Sequence, residues 1–167
     1  DAAPDIVADC LIRTGIPEHE LNSGLRIPGV WCDFEAGCRA VLGQQVSVKG
    51  AITAVTRLVE RLGERQGERV YFPTAKQVAE DDLNWLPLPD ARRQALRTLA
   101  RFYADYPGAD PQEWLSIKGI GPWTIAYARM RGLSDPDIFL DGDLVIRKAL
   151  ANHQVDSSDA SPWRSYL

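Results

Sequence analysis

The stretch Leu115-Ser116-Ile117-Lys118-Gly119-Ile120-Gly121-Pro122-Trp123-Thr124 decides how this 167-residue chain is read. Two glycines one residue apart permit a tight turn with positive φ and leave no side chain to block approach from outside, while Ile120 between them can turn into a core. Pro122 suits the first turn of a following helix. Such a turn presents backbone N–H groups beside a helix N-terminus, a favourable place for a phosphate. Lys118, Arg129 and Arg131 add positive charge, and no acid falls between residues 114 and 134, so a local basic face can form. Short glycine patterns are weak signals, and taken alone this one reads first as a plain turn between antiparallel helices.

Outward from the turn, apolar spacing is helical nearly everywhere. In residues 48 to 62, Ala51, Ile52, Val55, Leu58, Val59 and Leu62 recur at three- and four-residue steps, with Ser47 as cap and Gly63 as stop, which predicts an amphipathic helix with that stripe facing the core. A helix at 33 to 42 precedes it and ends near Gly43. Thr74-Ala75-Lys76-Gln77 has capping-box spacing. Asp90 can cap a helix whose Ala95, Leu96, Leu99, Phe102 and Tyr103 point inward and whose Arg92, Arg93, Arg97 and Arg101 point largely outward. Further helices are expected at 4 to 14, 110 to 117, 122 to 132 and 143 to 151. No two-residue turn joining alternating strands is evident, so the expected class is all-α.

Composition fits an ordinary globule, with 45% hydrophobic and 25% charged residues, and excludes disordered and collagen-like chains. The net charge of −4 argues against nucleic-acid binding through bulk charge. Yet five of the 23 acids lie in residues 1 to 20 beside Arg13 alone, so the remaining chain is neutral, with 18 charges of each sign. Three cysteines (Cys10, Cys32, Cys38) without a Cys-x-x-Cys pair supply neither a disulfide framework nor a zinc or iron–sulfur site. Two histidines, His19 and His153, leave little material for a metal site or a catalytic triad. Reduced cysteines, the missing apolar span and the acidic start without a signal-peptide pattern together predict a cytoplasmic protein, with no membrane partner.

Several stretches resemble, in order, those of the helix-hairpin-helix DNA glycosylase superfamily, and within it the alkylation-repair branch, DNA-3-methyladenine glycosylase II. They are Arg26-Ile27-Pro28-Gly29, Phe34-Glu35-x-Gly37-x-Arg39-Ala40-Val41-Leu42-Gly43-Gln44-Gln45-Val46-Ser47, Tyr71-Phe72-Pro73-Thr74, the hairpin, Asp137-x-Phe139 and Trp163-Arg164-Ser165-Tyr166. The resemblance spans about residues 25 to 167, which divides the chain into an N-terminal helix and linker (1–24) and a glycosylase helical region (25–167). It implies two small helical lobes with an active-site cleft between them, and a monofunctional enzyme that cuts the N-glycosidic bond of alkylated purines such as 3-methyladenine. The implied partner is double-stranded DNA containing such bases, met by a monomer. No cofactor or metal is required, although a structural monovalent cation at the hairpin is compatible with it.

Residue by residue, the resemblance places the catalytic carboxylate at Asp143. Cutting the glycosidic bond builds positive charge on the sugar, which a carboxylate stabilises. By itself Asp143 reads as the cap of the helix that follows, and Asp141 is a rival carboxylate. Trp123 and Tyr127, four apart on one helix face, read as core from spacing; the resemblance places them in the pocket of the flipped base, where ring faces attract a cationic purine. Glycosylases that also nick the strand carry a lysine where this chain has Trp123, and tryptophan cannot form a Schiff base. DNA contacts fall on Gln44, Gln45 and Ser47, with the wedge that fills the vacated duplex at or beside Gln45, and on Lys118, Gly119, Ile120 and Gly121, which grip phosphate.

Two features depart from the family. A further pocket aromatic expected after Asp143 is Leu144 here, and full-length members carry a β-containing N-terminal domain and additional C-terminal helix. The chain is therefore expected to be the helical part of a larger enzyme. A non-catalytic DNA-binding module or inactive fragment is the alternative.

Overall fold

A computed structural model describes residues 3–22, 24–151 and 155–167; His153 lies outside them. The described elements are α1 (Pro4–Arg13), α2 (Asp33–Gly43), α3 (Val48–Leu62), a hairpin of β1 (Arg65–Gln66) and β2 (Arg69–Val70), α4 (Ala75–Glu80), α5 (Asp90–Asp105), a 3-10 segment at Pro111–Ser116, α6 (Pro122–Gly132) and α7 (Leu144–Leu150). Short 3-10 turns at Glu18–Glu20, Ser157–Ala160 and Arg164–Tyr166 complete them. Apolar side chains gather in two clusters, one built by α2 to α6 and a smaller one by Val7 and Leu11 of α1 with Ala160, Trp163 and Tyr166. The fold is helical with two lobes, and residues 4–13 pack against residues 157–167 across nearly the whole length of the chain.

α2 is enclosed by α3, α5 and α6, and only Arg39 and Gly43 of its residues escape burial. Its two acids are satisfied in place: Asp33 Oδ1 accepts from the Phe34 N–H (2.9 Å) and the Tyr103 hydroxyl (3.0 Å), and Glu35 Oε1 accepts from Arg39 Nε (2.8 Å) and Nη2 (2.6 Å). Burial, and then the bond to Asp33, push the Tyr103 hydroxyl well above the ordinary tyrosine range. Gly37 lets α2 lie against the fully buried Trp114, since a Cβ there would stand 2.8 Å from the indole Cζ3. At the far end Gly132 closes α6 onto α2, where a Cβ would fall 2.6 Å from the Asp33 nitrogen.

α3 occupies the expected residues, with Ser47 Oγ accepting from the Gly50 N–H at 3.2 Å. Ala54, Val55 and Leu58 are buried. Ile52 is not part of the core stripe: it is 61% exposed and forms a surface ridge with Val48, which is 78% exposed. The reason is axial and not angular: Ile52 and Val59 differ by only about 20° around the helix and Val59 packs against the core, but burial on α3 starts at Ala54 and does not reach its first turn. Gly63 ends α3, but with φ −69°; glycine is needed there because a Cβ would collide with the Tyr71 and Val59 carbonyls. The capping box at Thr74 and Gln77 forms with both reciprocal bonds.

Three expectations need correction. Asp90 does not cap α5; it is the first helical residue, follows Pro89 and pairs with Arg93 at 3.4 Å. Arg92, Arg93 and Arg97 are half-buried, their stems lying along the packed surface with only Arg101 fully outward. A two-residue turn does join paired strands, Arg65 with Val70 and Gln66 with Arg69, because Gly67 adopts φ +62°.

The contact at Gly37 gives a direct test. Gly37→Ala should cost about 2 kcal/mol in urea unfolding, as overpacking against a rigid indole does. Gly121→Ala, with nothing within 4 Å of the added methyl, should cost much less.

Candidate active site and nucleic-acid interface

The hairpin turn is built by burial on one side and openness on the other. Ile117 and Ile120 are buried, Lys118 is exposed, and the Ile120 N–H donates to the Ile117 carbonyl at 3.0 Å. Ile120 therefore contributes packing, with both side chain and amide spent internally. Gly119 takes φ +94°, the left-handed region, and sits 3.1 Å (at its Cβ position) from the Ala95 methyl. The N–H groups of Lys118, Gly119 and Gly121 have no acceptor among the described residues, and the space outside Gly121 is open. These donors lie beside the N-terminus of the eleven-residue α6.

Of the expected basic face, Lys118 alone stays free. Arg129 pairs with Asp135 at 3.0 Å, and the Arg131 guanidinium folds over the Tyr127 ring, 5.8 Å from its centroid. Neither partner was legible, because Asp135 lies in the loop after α6 and an arginine–aromatic contact has no local pattern distinct from helix spacing.

Trp123 and Tyr127 stack, with centroids 5.3 Å apart and planes at 24°. They differ in surroundings. Tyr127 packs against the main core, whereas Trp123 is half-buried and lies outside that cluster. The Trp123 indole edge stands 3.9 Å from the Cβ position of Gly142, so the Asp141-Gly142-Asp143 loop runs beside it. The placement of Gly142 beside Trp123 had no pointer in the sequence beyond its position between two acids.

Asp143 caps α7. Its Oδ1 accepts from the Val145 N–H (2.8 Å) and the Ile146 N–H (3.3 Å), while Oδ2 has no partner among the described residues. The cap holds the carboxylate in one orientation with one oxygen unused. Asp141 is exposed, and so is Leu144, at 67%.

On the other side of the hairpin, Gln44 ends α2 and Gln45 takes φ +54° with an exposed side chain. That conformation is uncommon for a residue with a Cβ. Ser47 is the cap of α3, which already engages its oxygen. Gln44 Nε2 donates to the Gly119 carbonyl at 3.0 Å and lies 3.4 Å from Thr124 Oγ1. The loop of Gln44 to Ser47 and the hairpin therefore meet, although 75 residues separate the partners.

The late motifs also meet. Asp137 receives a forked contact from Arg164, Nε at 2.7 Å and Nη2 at 2.8 Å, and Ser165 Oγ accepts from the Ile138 N–H at 2.9 Å. Arg164 beside it, followed by Ser161, holds the Asp137 carboxyl below the usual range. This clamp fixes the loop that leads into Asp143.

The geometry defines a helix-hairpin-helix protein with an aromatic pair and a capped carboxylate beside the hairpin. No family model matches the chain. Among curated proteins it is 38% identical to the "probable bifunctional transcriptional activator/DNA repair enzyme AlkA" of Mycobacterium tuberculosis, over 86% of this chain and 34% of that protein. It is 34% identical to the DNA-3-methyladenine glycosylase 2 of Escherichia coli, over 98% of this chain and 64% of that protein. The chain thus spans between about a third and two thirds of the length of these relatives. Among solved structures, Schizosaccharomyces pombe 3-methyladenine DNA glycosylase in complex with abasic DNA superposes with a TM-score of 0.64 at 19% identity, covering 99% of this chain and 87% of that one. A Clostridium acetobutylicum 8-oxoguanine glycosylase/lyase gives 0.70 at 15% identity, covering 90% and 58%. The chain thus has the fold of the helix-hairpin-helix DNA glycosylases and is similar in sequence to DNA-3-methyladenine glycosylase 2.

The Asp137–Arg164 clamp sets a pH dependence. A lowered aspartate pKa stabilises the fold above the ordinary carboxylate value near 4, and that contribution disappears as pH falls through the lowered folded value. Asp137→Asn should therefore cost about 1 kcal/mol at pH 7. It should also flatten the loss of stability below about pH 4, as read by thermal melts from pH 7 to pH 2.

Proposed function

We propose that this chain is the helical, catalytic part of a monofunctional glycosylase that hydrolyses the N-glycosidic bond of alkylated purines such as 3-methyladenine in duplex DNA. The observation that carries this is the Asp143 carboxylate, oriented by two helix N–H groups through Oδ1, with Oδ2 unused, on a loop that runs beside Trp123. As the C1′–N bond breaks, its electron pair goes to the cationic purine, which leaves neutral, so no acid is needed to protonate it. Positive charge grows on the sugar, and Asp143 Oδ2 stabilises it. Water adds at C1′ and gives up its proton to the carboxylate or to solvent, and an abasic site remains. Trp123 supplies a ring face for the flipped base and no amine, so strand cleavage through a Schiff base has no nucleophile at that position.

The hairpin N–H groups of Lys118, Gly119 and Gly121 suit a phosphate oxygen, and exposed Gln45 suits the wedge. A monovalent cation at the hairpin would bind turn carbonyls. Those of Ile117 and Gly119 already accept from the Ile120 N–H and Gln44 Nε2, so such an ion would add to a geometry the chain itself holds. One monomer per lesion is sufficient for this arrangement.

The test is release of 3-methyladenine or 7-methylguanine from methylated duplex DNA. Asp143→Asn keeps an oxygen to cap α7, so its melting temperature should stay close to that of the parent, while the rate of release falls by about 100-fold or more. Equal release by the variant would remove Asp143 from catalysis. Salt-sensitive duplex binding without abasic sites from the parent chain would mark a binding module instead. Trp123→Leu should lower the preference for cationic 7-methylguanine over a neutral lesion such as hypoxanthine by about 3- to 30-fold, the range of one cation–π contact.

A further inference from the structure

We propose that Gln44 is a positioning residue that couples the base-extruding loop to the phosphate-gripping hairpin, rather than a contact to DNA. The inference rests on the proposed function and deepens it. Gln44 terminates α2, its own N–H returning to the Val41 carbonyl at 3.4 Å, and the next residue is the left-handed Gln45. A non-glycine residue in that region is disfavoured and persists where its surroundings fix it. The connection from Gly43 to Ser47 is short, and its exposed residues Gln45 and Val46 make no described hydrogen bond of their own. What ties this connection to the body is the Gln44 carboxamide.

Both hydrogens of that amide have acceptors on the hairpin unit, the Gly119 carbonyl at 3.0 Å and the Thr124 hydroxyl at 3.4 Å. Gly119 is a φ +94° residue of the turn, and Thr124 is a buried residue of the first turn of α6. The Gly119–Ile120 peptide is therefore held at both poles, its carbonyl by Gln44 and its N–H by Ile117. A phosphate seated on the free N–H groups of Lys118, Gly119 and Gly121 fixes the same turn. It thereby fixes the carbonyl to which Gln44 is bonded, and through Gln44 the backbone that aims Gln45. Grip and probe become one unit. Donors spent in this way are not available to DNA, which is why Gln44 and Gln45, adjacent in sequence, take different roles.

Gln44→Met keeps length and volume and removes both donors. Three readouts on the intact chain separate the possibilities: affinity for undamaged duplex, the fluorescence of a 2-aminopurine paired at the position to be vacated, and the single-turnover rate on a 7-methylguanine duplex. Gln44→Met should leave undamaged-duplex affinity within twofold, and should lower the 2-aminopurine signal and the single-turnover rate together by about five- to tenfold, the scale of one to two neutral hydrogen bonds. In a Gln45→Ala background the same change should have less than a twofold effect, because Gln44 acts through Gln45.

A full effect of Gln44→Met in the Gln45→Ala background, or a matching loss of undamaged-duplex affinity, would overturn the coupling and make Gln44 a direct contact. Native-like extrusion by Gln44→Met would overturn it too. Absence of both extrusion and release by the parent chain would overturn the glycosylase function itself. Gln44→Glu serves as a second variant, since it replaces the donor with an oxygen facing the Gly119 carbonyl; it should extrude the base no better than Gln44→Met.

Discussion

The antiparallel contact of α2 with α6 is the constraint on which the rest depends. Its ends are closed by different chemistry. At one end, Gly132 lets the α6 backbone reach Asp33, and the Val30 N–H bonds the Arg131 carbonyl at 2.9 Å. At the other, the Gln44 side chain joins the hairpin that opens α6. Two eleven-residue helices, each about 16 Å long, thus carry the candidate groups on the segments that extend them. Gln44 to Ser47 follow α2, Gly119 and Gly121 precede α6, and the loop to Asp143 leaves α6. Because the first two of these lie at the same end of the pair, a small error at the Gly132 end would be carried along the full helix length to both.

Burial of charge on α2 is part of the same device. Asp33 and Glu35 lie in the core at under a tenth exposure, a position that is costly unless every lone pair of consequence is met. Tyr103 from α5 and Arg39 one turn along α2 meet them, and Glu35 Oε2 also accepts from the Trp31 N–H at 3.3 Å. The bond to Trp31 pins the segment that enters α2, while that from Tyr103 pins α5 against it. Phe34 completes the arrangement by packing on the Tyr103 ring, with centroids at 5.0 Å. The acids of the sequence stretch Asp33-Phe34-Glu35 therefore serve the placement of helices.

What was legible in the sequence was local. α3 and α4 begin at their caps because Ser47 and Thr74 find acceptor roles within three residues, and α6 begins at Pro122 because proline fits a first turn. Periodicity gives the face of a helix but not how far along it the packing reaches: Leu58 is buried as expected, yet Ile52, which points nearly the same way as Val59 but nearer the start of α3, is on the surface. Contacts between distant segments left no such trace. The Gln44 amide could as well have faced solvent, Arg129 and Arg131 could as well have faced phosphate, and nothing near Asp137 specifies Arg164. The resemblance to a family brought the right segments together without stating which atoms would meet. Asp143 illustrates the limit, since a cap and a catalytic carboxylate need the same residue at the same place, and the cap bonds through Oδ1 are compatible with either role.

Charge bears on how such a protein can hold a polyanion. Several of the 19 cations are engaged within the fold: Arg39 by Glu35, Arg93 by Asp90, Arg129 by Asp135, Arg164 by Asp137 and Arg131 by the face of Tyr127. At the hairpin, Lys118 and the N–H dipoles of the turn remain. Dipoles bind a phosphate oxygen without neutralising it, so fewer counterions leave the duplex than an arginine-lined groove would release, and affinity then falls less steeply with salt. On the proposed function, a weak and short-ranged grip of this kind has a use. A protein that must sample many undamaged base pairs gains from contacts that let go easily, provided the site beyond them discriminates. On that same proposal, discrimination falls to the half-buried Trp123 face and the capped carboxylate of Asp143, acting on a base already out of the stack.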